Sequence, residues 1–194
     1  MLASGSLRRA EILSAVGWPF ETVLAGIDES RAADEEAISY VQRLALAKAE
    51  AVAAKLDKGL VLGADTIVVV DGTILGKPED AKDATRMLRM LSGKWHEVLT
   101  GVALVRADKK ECAAVDHEIT RVRFSEMSDD EIDWYVSTGD PVDKAGAYAV
   151  QGKAALFIAE IAGDYFNIVG LPIRLVYELV GRIRIRKELS RHRH

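Results

Sequence analysis

Leu60-Val61-Leu62-Gly63-Ala64-Asp65-Thr66-Ile67-Val68-Val69-Val70, followed by Asp71-Gly72 and Thr73-Ile74-Leu75, is the stretch that decides the fold. Its β-branched, nearly continuous apolar character predicts a buried central strand, because a strand covered on both faces loses the polar alternation of a half-exposed one. Asp71-Gly72 is hairpin chemistry and turns the chain into a short second strand through Leu75. Two residues break the apolar run. Gly63 predicts a place where a ligand approaches the backbone, and Asp65 is a carboxylate that burial penalises unless it is paired, hydrogen-bonded or holding a cation.

Outward from this strand, helices and strands interleave. Before it, Ala33 to Leu56 has helical periodicity through Ile38, Val41, Leu44, Ala45 and Ala49, and Leu7 to Val16 reads as a helix with Ile12, Leu13 and Val16 inward and Gly17 as its stop. Met1 to Ala3 predicts a truncated strand. After it come a helix from Asp80 to Leu91, paired strands at Glu97 to Val105 and Ala113 to Phe124, and a Ser128–Glu131 capping box opening a helix to Ser137. Gly139 to Gly152 is a punctuated loop, Ala155 to Ile161 a strand, and the last helix starts at Pro172 and runs through Ile183. This alternation predicts an α/β fold: a mixed sheet in two lobes flanked by helices, with a central substrate cleft, as one domain over 1–194.

Composition narrows the function. The 194 residues are 49% hydrophobic and 29% charged with net charge −4, an ordinary soluble composition. No apolar run approaches the roughly 18 residues of a membrane span and no basic-then-apolar leader opens the chain, so a cytoplasmic protein is expected. Cys112 is expected to be a small buried strand residue, and Trp18, Trp95 and Trp134 to be core packing. His96 and His117 read as structural. The ending Arg191-His192-Arg193-His194 after Lys187 reads as a solvated polar tail.

Against that acidic background, Ser4-Gly5-Ser6-Leu7-Arg8-Arg9 brings hydroxyls, a flexible glycine and two guanidiniums to one helix start. Unpaired N–H groups, the positive end of the helix dipole and the arginine fork all favour phosphate. A small anionic ligand fits better than a polymeric nucleic acid, whose recognition calls for a broad basic surface. Lys77, just past the hairpin, is at a sequence distance that lets it return beside Asp65. Asp, Lys and two Arg make a set suited to triphosphate chemistry, the cations neutralising phosphate and the carboxylate holding Mg²⁺ or deprotonating water. Glu29 and Lys48 read by themselves as solvated charges, and Asp143-Lys144-Ala145-Gly146 as a loop open to close backbone approach.

The strings LASGSLRR, QRLALAKA, LGADTIVVVDGTILGKP, MLRMLSGKWHEVLTGVAL, GDPVDKAGAYAVQG and NIVGLPI, in that order, resemble the Maf family of nucleoside triphosphate pyrophosphatases. The resemblance implies a two-lobed fold, homodimerisation, and hydrolysis of a nucleoside triphosphate to monophosphate and pyrophosphate with a divalent cation, Mg²⁺ or Mn²⁺. By position it implies that Asp65 is the proton acceptor, that Ser4, Arg8, Arg9, Lys48 and Lys77 bind phosphate, and that Asp65 and Glu29 hold the metal. Arg9, Thr66 and Gln151 together are similar to the branch acting on dTTP and UTP rather than on 7-methyl-GTP. Two departures stand out: Leu7 replaces a usual proline, and little strand precedes Ser4. The rival readings are a nucleotide-sensing regulator of cell division without turnover, and a pyrophosphatase for another modified nucleotide.

Overall fold

Eleven consecutive strand residues, β1 (Leu60–Val70), form the predicted central element. Asp71 and Gly72 both take positive φ, 49° and 75°, the type I′ geometry that folds β2 (Thr73–Leu75) back antiparallel with Val68 opposite Leu75 and Val70 opposite Thr73. The computed structural model describes residues 1–191. The remaining elements are α1 (Leu7–Ala15), α2 (Ala37–Ala53), α3 (Ala81–Leu91), β3 (Trp95–Arg106), β4 (Glu111–Phe124), α4 (Asp129–Ser137), β5 (Ile158–Ala162), α5 (Tyr165–Val169) and α6 (Ile173–Arg191). Five strands make one sheet in the order β2-β1-β3-β4-β5, antiparallel rather than the mixed sheet expected, with β5 antiparallel to β4 as β2 is to β1. No helix among the described residues is long and apolar enough to cross a membrane.

The chain forms two compact units. The first comprises Met1–Asp65, Thr100–Glu118 and the chain from Gly170 onward; the second comprises Thr66–Leu99 and Ile119–Val169.

In the first unit α2 lies unusually close to the sheet. Its buried stripe of Val41, Leu44, Ala45, Lys48, Ala49, Val52 and Ala53 repeats at helical spacing. A Cβ added at Gly63 would stand 2.1 Å from the Ala45 carbonyl oxygen, and one at Gly101 would stand 2.2 Å from that of Val41. The glycines therefore serve helix–sheet contact. Gly63 is filled by the helix backbone and not by a ligand, which corrects the expectation from sequence. Ala45, Ala49, Val52, Val61, Ala103 and Val105 complete this small-residue core.

The second unit is built on larger side chains: Val68, Leu88, Leu91, Phe124, Tyr135, Tyr148 and Phe157 share one core. Its helices begin where local chemistry predicts. Asp80 accepts the Asp83 amide at 2.8 Å, and Ser128 and Glu131 form the reciprocal capping box. Buried Asn167 donates to the Val98 carbonyl and the Thr120 hydroxyl, tying α5 to β3 and β4.

Several expectations change. The helix expected from Ala33 starts at Ala37, because Asp34 adopts φ 57° and Glu35 turns its carboxylate onto the Ala32 amide and Arg43. The first strand contracts to a bridge at Leu2, which pairs in parallel with both Thr22 and Leu62. The paired strands run longer, and β5 starts at Ile158 because Lys153–Leu156 is a 3-10 turn. Val16, beyond the last turn of α1, is 43% exposed rather than inward. Cys112 is exposed beside the β3–β4 turn. Trp95 and Trp134 are exposed too, and Trp18 is half-buried against Tyr177; Trp95 alternates outward from buried His96 and lies under Arg121 and Arg123. Helix α6 reaches Arg191, and His192 and His194 lie outside the described residues.

Candidate active site

The first turn of α1 brings Ser4, Ser6, Arg8 and Arg9 together. Ser6 holds the N-cap position without a side-chain cap, and the Ser4 hydroxyl accepts the Ser6 amide at 3.1 Å. Arg9 is only 9% exposed; its Nε donates to the Gly170 carbonyl at 2.8 Å and its Nη1 to the Ser4 hydroxyl at 3.3 Å. Burial lowers the guanidinium pKa, nearby Asp65 opposes that shift, and an arginine stays cationic at neutral pH all the same. Arg8 is half-buried on the same turn.

Three further predicted residues meet in the same unit. Because α2 presses on Gly63, Lys48 reaches the face of β1 that carries Asp65, and its Nζ lies 2.6 Å from Asp65 Oδ1 and 2.8 Å from Glu29 Oε1. One ammonium thus bridges two carboxylates. Lys48 is a buried member of the α2 stripe, and Asp65 as a whole is 7% exposed. Burial raises the Asp65 pKa above 3.8, while Lys48 and Arg9 pull it back. The result is a stronger base than a solvated aspartate, set among cations.

Glu29 keeps the exposed side chain its sequence context predicts, with its carboxylate also paired to Lys48, whereas Lys48, expected as a solvated charge, is buried. The Tyr40 hydroxyl donates to the Glu29 carbonyl at 2.8 Å, Arg43 donates to the Ser30 carbonyl and pairs with Glu35, and Asp28 accepts the Ser30 amide. Tyr40 and Arg43 on the exposed side of α2 therefore hold the loop that presents Glu29. Sequence reading missed both. Their spacing, three apart and each directly preceding a member of the buried stripe, was the available signal.

Thr66, Lys77 and Gln151 belong to the second unit. Strand alternation puts the Thr66 side chain on the opposite face of β1 from Asp65. Lys77 and Gln151 are exposed. Beside Lys77, the Gly76 carbonyl accepts the Gly146 amide at 2.9 Å, and Gly146, at φ 67°, leaves no room for a Cβ against Val68. Lys144 is engaged by Asp143 and by the Asp140 carbonyl. The flagged Asp143–Gly146 loop is thereby docked next to Lys77.

Among the described residues no group of three or more His, Cys, Asp or Glu is placed to hold a metal ion. The available set is the two carboxylates sharing Lys48.

The model of the Maf-like protein family matches residues 1–183. The chain belongs to the Maf family. Similar Maf proteins include one from Symbiobacterium thermophilum named dTTP/UTP pyrophosphatase, 52% identical over 93% of this chain and 91% of that protein. Proteins of the same name from Bacillus cytotoxicus and Moorella thermoacetica are each 51% identical, over 92% and 93% of this chain and 93% and 92% of theirs. Among solved structures, a nucleoside-triphosphatase / dITP/XTP pyrophosphatase from Mycobacterium abscessus superposes with a TM-score of 0.40 at 18% identity, over 65% of this chain and 72% of that one. That likeness is too slight to carry an argument.

Proposed function

We propose that this Maf protein hydrolyses dTTP and UTP at the α–β phosphoanhydride, releasing the monophosphate and pyrophosphate, as a cytoplasmic house-cleaning enzyme acting as a homodimer. The observation that carries the reading is the shared name of relatives about half identical over nearly the whole chain, on a site whose charges suit it. Ser4, Arg8 and Arg9 at the α1 start, with Lys48 and Lys77, take the phosphate oxygens; their cationic charge stabilises the negative charge that shifts toward the leaving pyrophosphate. Asp65 accepts the proton of the attacking water as the new P–O bond forms and the bridging P–O bond breaks. Raised by burial, it is basic enough for that role, and Lys48 keeps it oriented.

Glu29 and Asp65 also fit a hard divalent cation, since both offer carboxylate oxygens to one shared point now taken by the Lys48 ammonium. Mg²⁺ commonly uses one or two carboxylates and fills its shell with phosphate and water, so a larger protein cage is not required. When bound, Mg²⁺ or Mn²⁺ would neutralise phosphate charge and lower the pKa of water. Gln151, Thr66 and Arg9 recognise the base: an oriented amide offers one donor and one acceptor, complementary to O4 and N3–H of uracil or thymine and mismatched to cytosine.

Product chromatography tests the reaction. Monophosphate and pyrophosphate from dTTP and UTP, only with divalent cation, are expected. Diphosphate with orthophosphate would refute α–β cleavage, and tight binding without turnover would make the protein a nucleotide sensor.

A further inference from the structure

The bond between Arg9 and Gly170 spans 161 residues and is buried. A guanidinium is a rigid planar fork, so fixing Nε to one acceptor fixes the direction of the Nη edge. Ser4 holds Nη1 from a second side. With two anchors, Arg9 has little rotamer freedom left to lose when an anion arrives.

The Gly170 carbonyl is itself held. Gly170 takes φ 119°, a region closed to residues with a Cβ. Leu171 after it is fully buried, and preceding Pro172 it is confined to extended backbone. Pro172 in turn opens α6, its carbonyl accepting the Val176 amide at 3.0 Å. The carbonyl is therefore aimed by a backbone conformation that only glycine adopts without strain. What this conformation achieves is the acceptor for Arg9 Nε.

We infer that Gly170 is a positioning residue for Arg9, setting the guanidinium plane that meets the nucleotide. The inference rests on the ligand-binding role proposed above for Arg9. It explains why arginine and not lysine suits position 9: an ammonium has no separate nitrogen to leave on Gly170 while others bind the ligand.

Two measurements test it. The first is hydrogen exchange of the Arg9 Nε–H by ¹⁵N NMR, expected to be protected in the wild type and to lose protection in Gly170→Ala; an unprotected Nε–H in the wild type would overturn the anchor. The second is a double-mutant cycle on kcat/KM for UTP. Gly170→Ala is expected to lower it about 10- to 100-fold, the cost of a misplaced charged donor. In an Arg9→Ala background the same change should alter it by less than about twofold, because the group it positions is gone. An equal fall in both backgrounds would mean that Gly170 acts through the fold at large. If Gly170→Ala is too unstable to isolate, Arg9→Lys decides: a loss close to that of Arg9→Ala supports the inference, and near-wild-type activity overturns it. A wild type that turns over no nucleotide refutes the proposed reaction, while the exchange measurement still reads the anchor.

Discussion

Asp65 carries its charge where water is scarce, and two opposing effects meet there: burial raises its pKa above 3.8, and Lys48 and Arg9 restrain the rise. The sign of the net shift has a thermodynamic consequence. A raised native pKa means that the folded protein binds this proton more tightly than the unfolded chain, so the contribution of Asp65 to stability is present below 3.8 and is lost as pH climbs through the native value. At neutral pH the ionised carboxylate is therefore a cost to stability. Asp65→Asn keeps the shape and an acceptor for Lys48, and Lys48 keeps Glu29, so no ammonium is left buried alone. The variant should match or exceed the wild-type unfolding free energy in urea at pH 7, by no more than about 2 kcal/mol, with the difference shrinking toward pH 4. Its kcat should fall roughly 100-fold or more, the usual scale for a lost general base. Lower stability at pH 7 together with near-normal turnover would make Asp65 a structural ion-pair partner.

Helix α2 shows what the sequence could and could not disclose. Its periodic stripe, the strand at β1, the Asp71-Gly72 hairpin and the caps at Asp80 and Ser128 were legible because each depends on neighbours within a few residues. Lys48 was legible in principle as the one charge on that stripe. The engagement of Glu29 was not, since it depends on Tyr40 and Arg43 reaching back to a loop. The exposure of Cys112 and Trp95 likewise depends on which sheet face a helix covers, a tertiary choice; roles for Thr66, Lys77 and Gln151 came from family resemblance alone. Gly63 admits a helix and not a ligand, a distinction that its neighbours in sequence do not carry. Gly63→Ala should therefore cost about 1–3 kcal/mol or more in urea unfolding, as overpacking does. Activity should fall with it, because the same contact sets the reach of Lys48 to Asp65. Trimming the opposing side chain with Ala49→Gly should not restore stability, since the nearest obstruction is the Ala45 backbone oxygen. Recovery in the double variant, or a wild-type midpoint in the single one, would show that α2 can shift at little cost.

At the scale of the whole molecule, the response to acid separates into windows belonging to different groups. Asp28, Glu35, Asp108 and Glu131 are held below their ordinary 3.8 or 4.5 by hydrogen bonds from Ser30, Arg43, Arg106 and Ser128, so what they contribute is lost only below those values. His96 acts earlier. It is 2% exposed in the core of the second unit, edge-on to Phe124 and Tyr148, with Nε2 2.7 Å from the Tyr148 hydroxyl, and burial depresses its pKa from 6.5 to about 4. Between those values the unfolded chain binds the proton and the native protein does not, so stability present above 6.5 is lost as pH falls toward 4. The full window is worth about 3 kcal/mol. Asp65 acts with the opposite sign just above 3.8, so the raw slope mixes two groups and a variant is needed to divide them. His96→Gln retains a partner for Tyr148 and cannot titrate. It should lower stability at pH 7 but flatten the dependence between pH 6.5 and 4.5, measured by urea unfolding at closely spaced pH. If the variant keeps the wild-type slope, the acid sensitivity of this fold belongs to another group, and protonation of His96 is accommodated in the core without loss of structure.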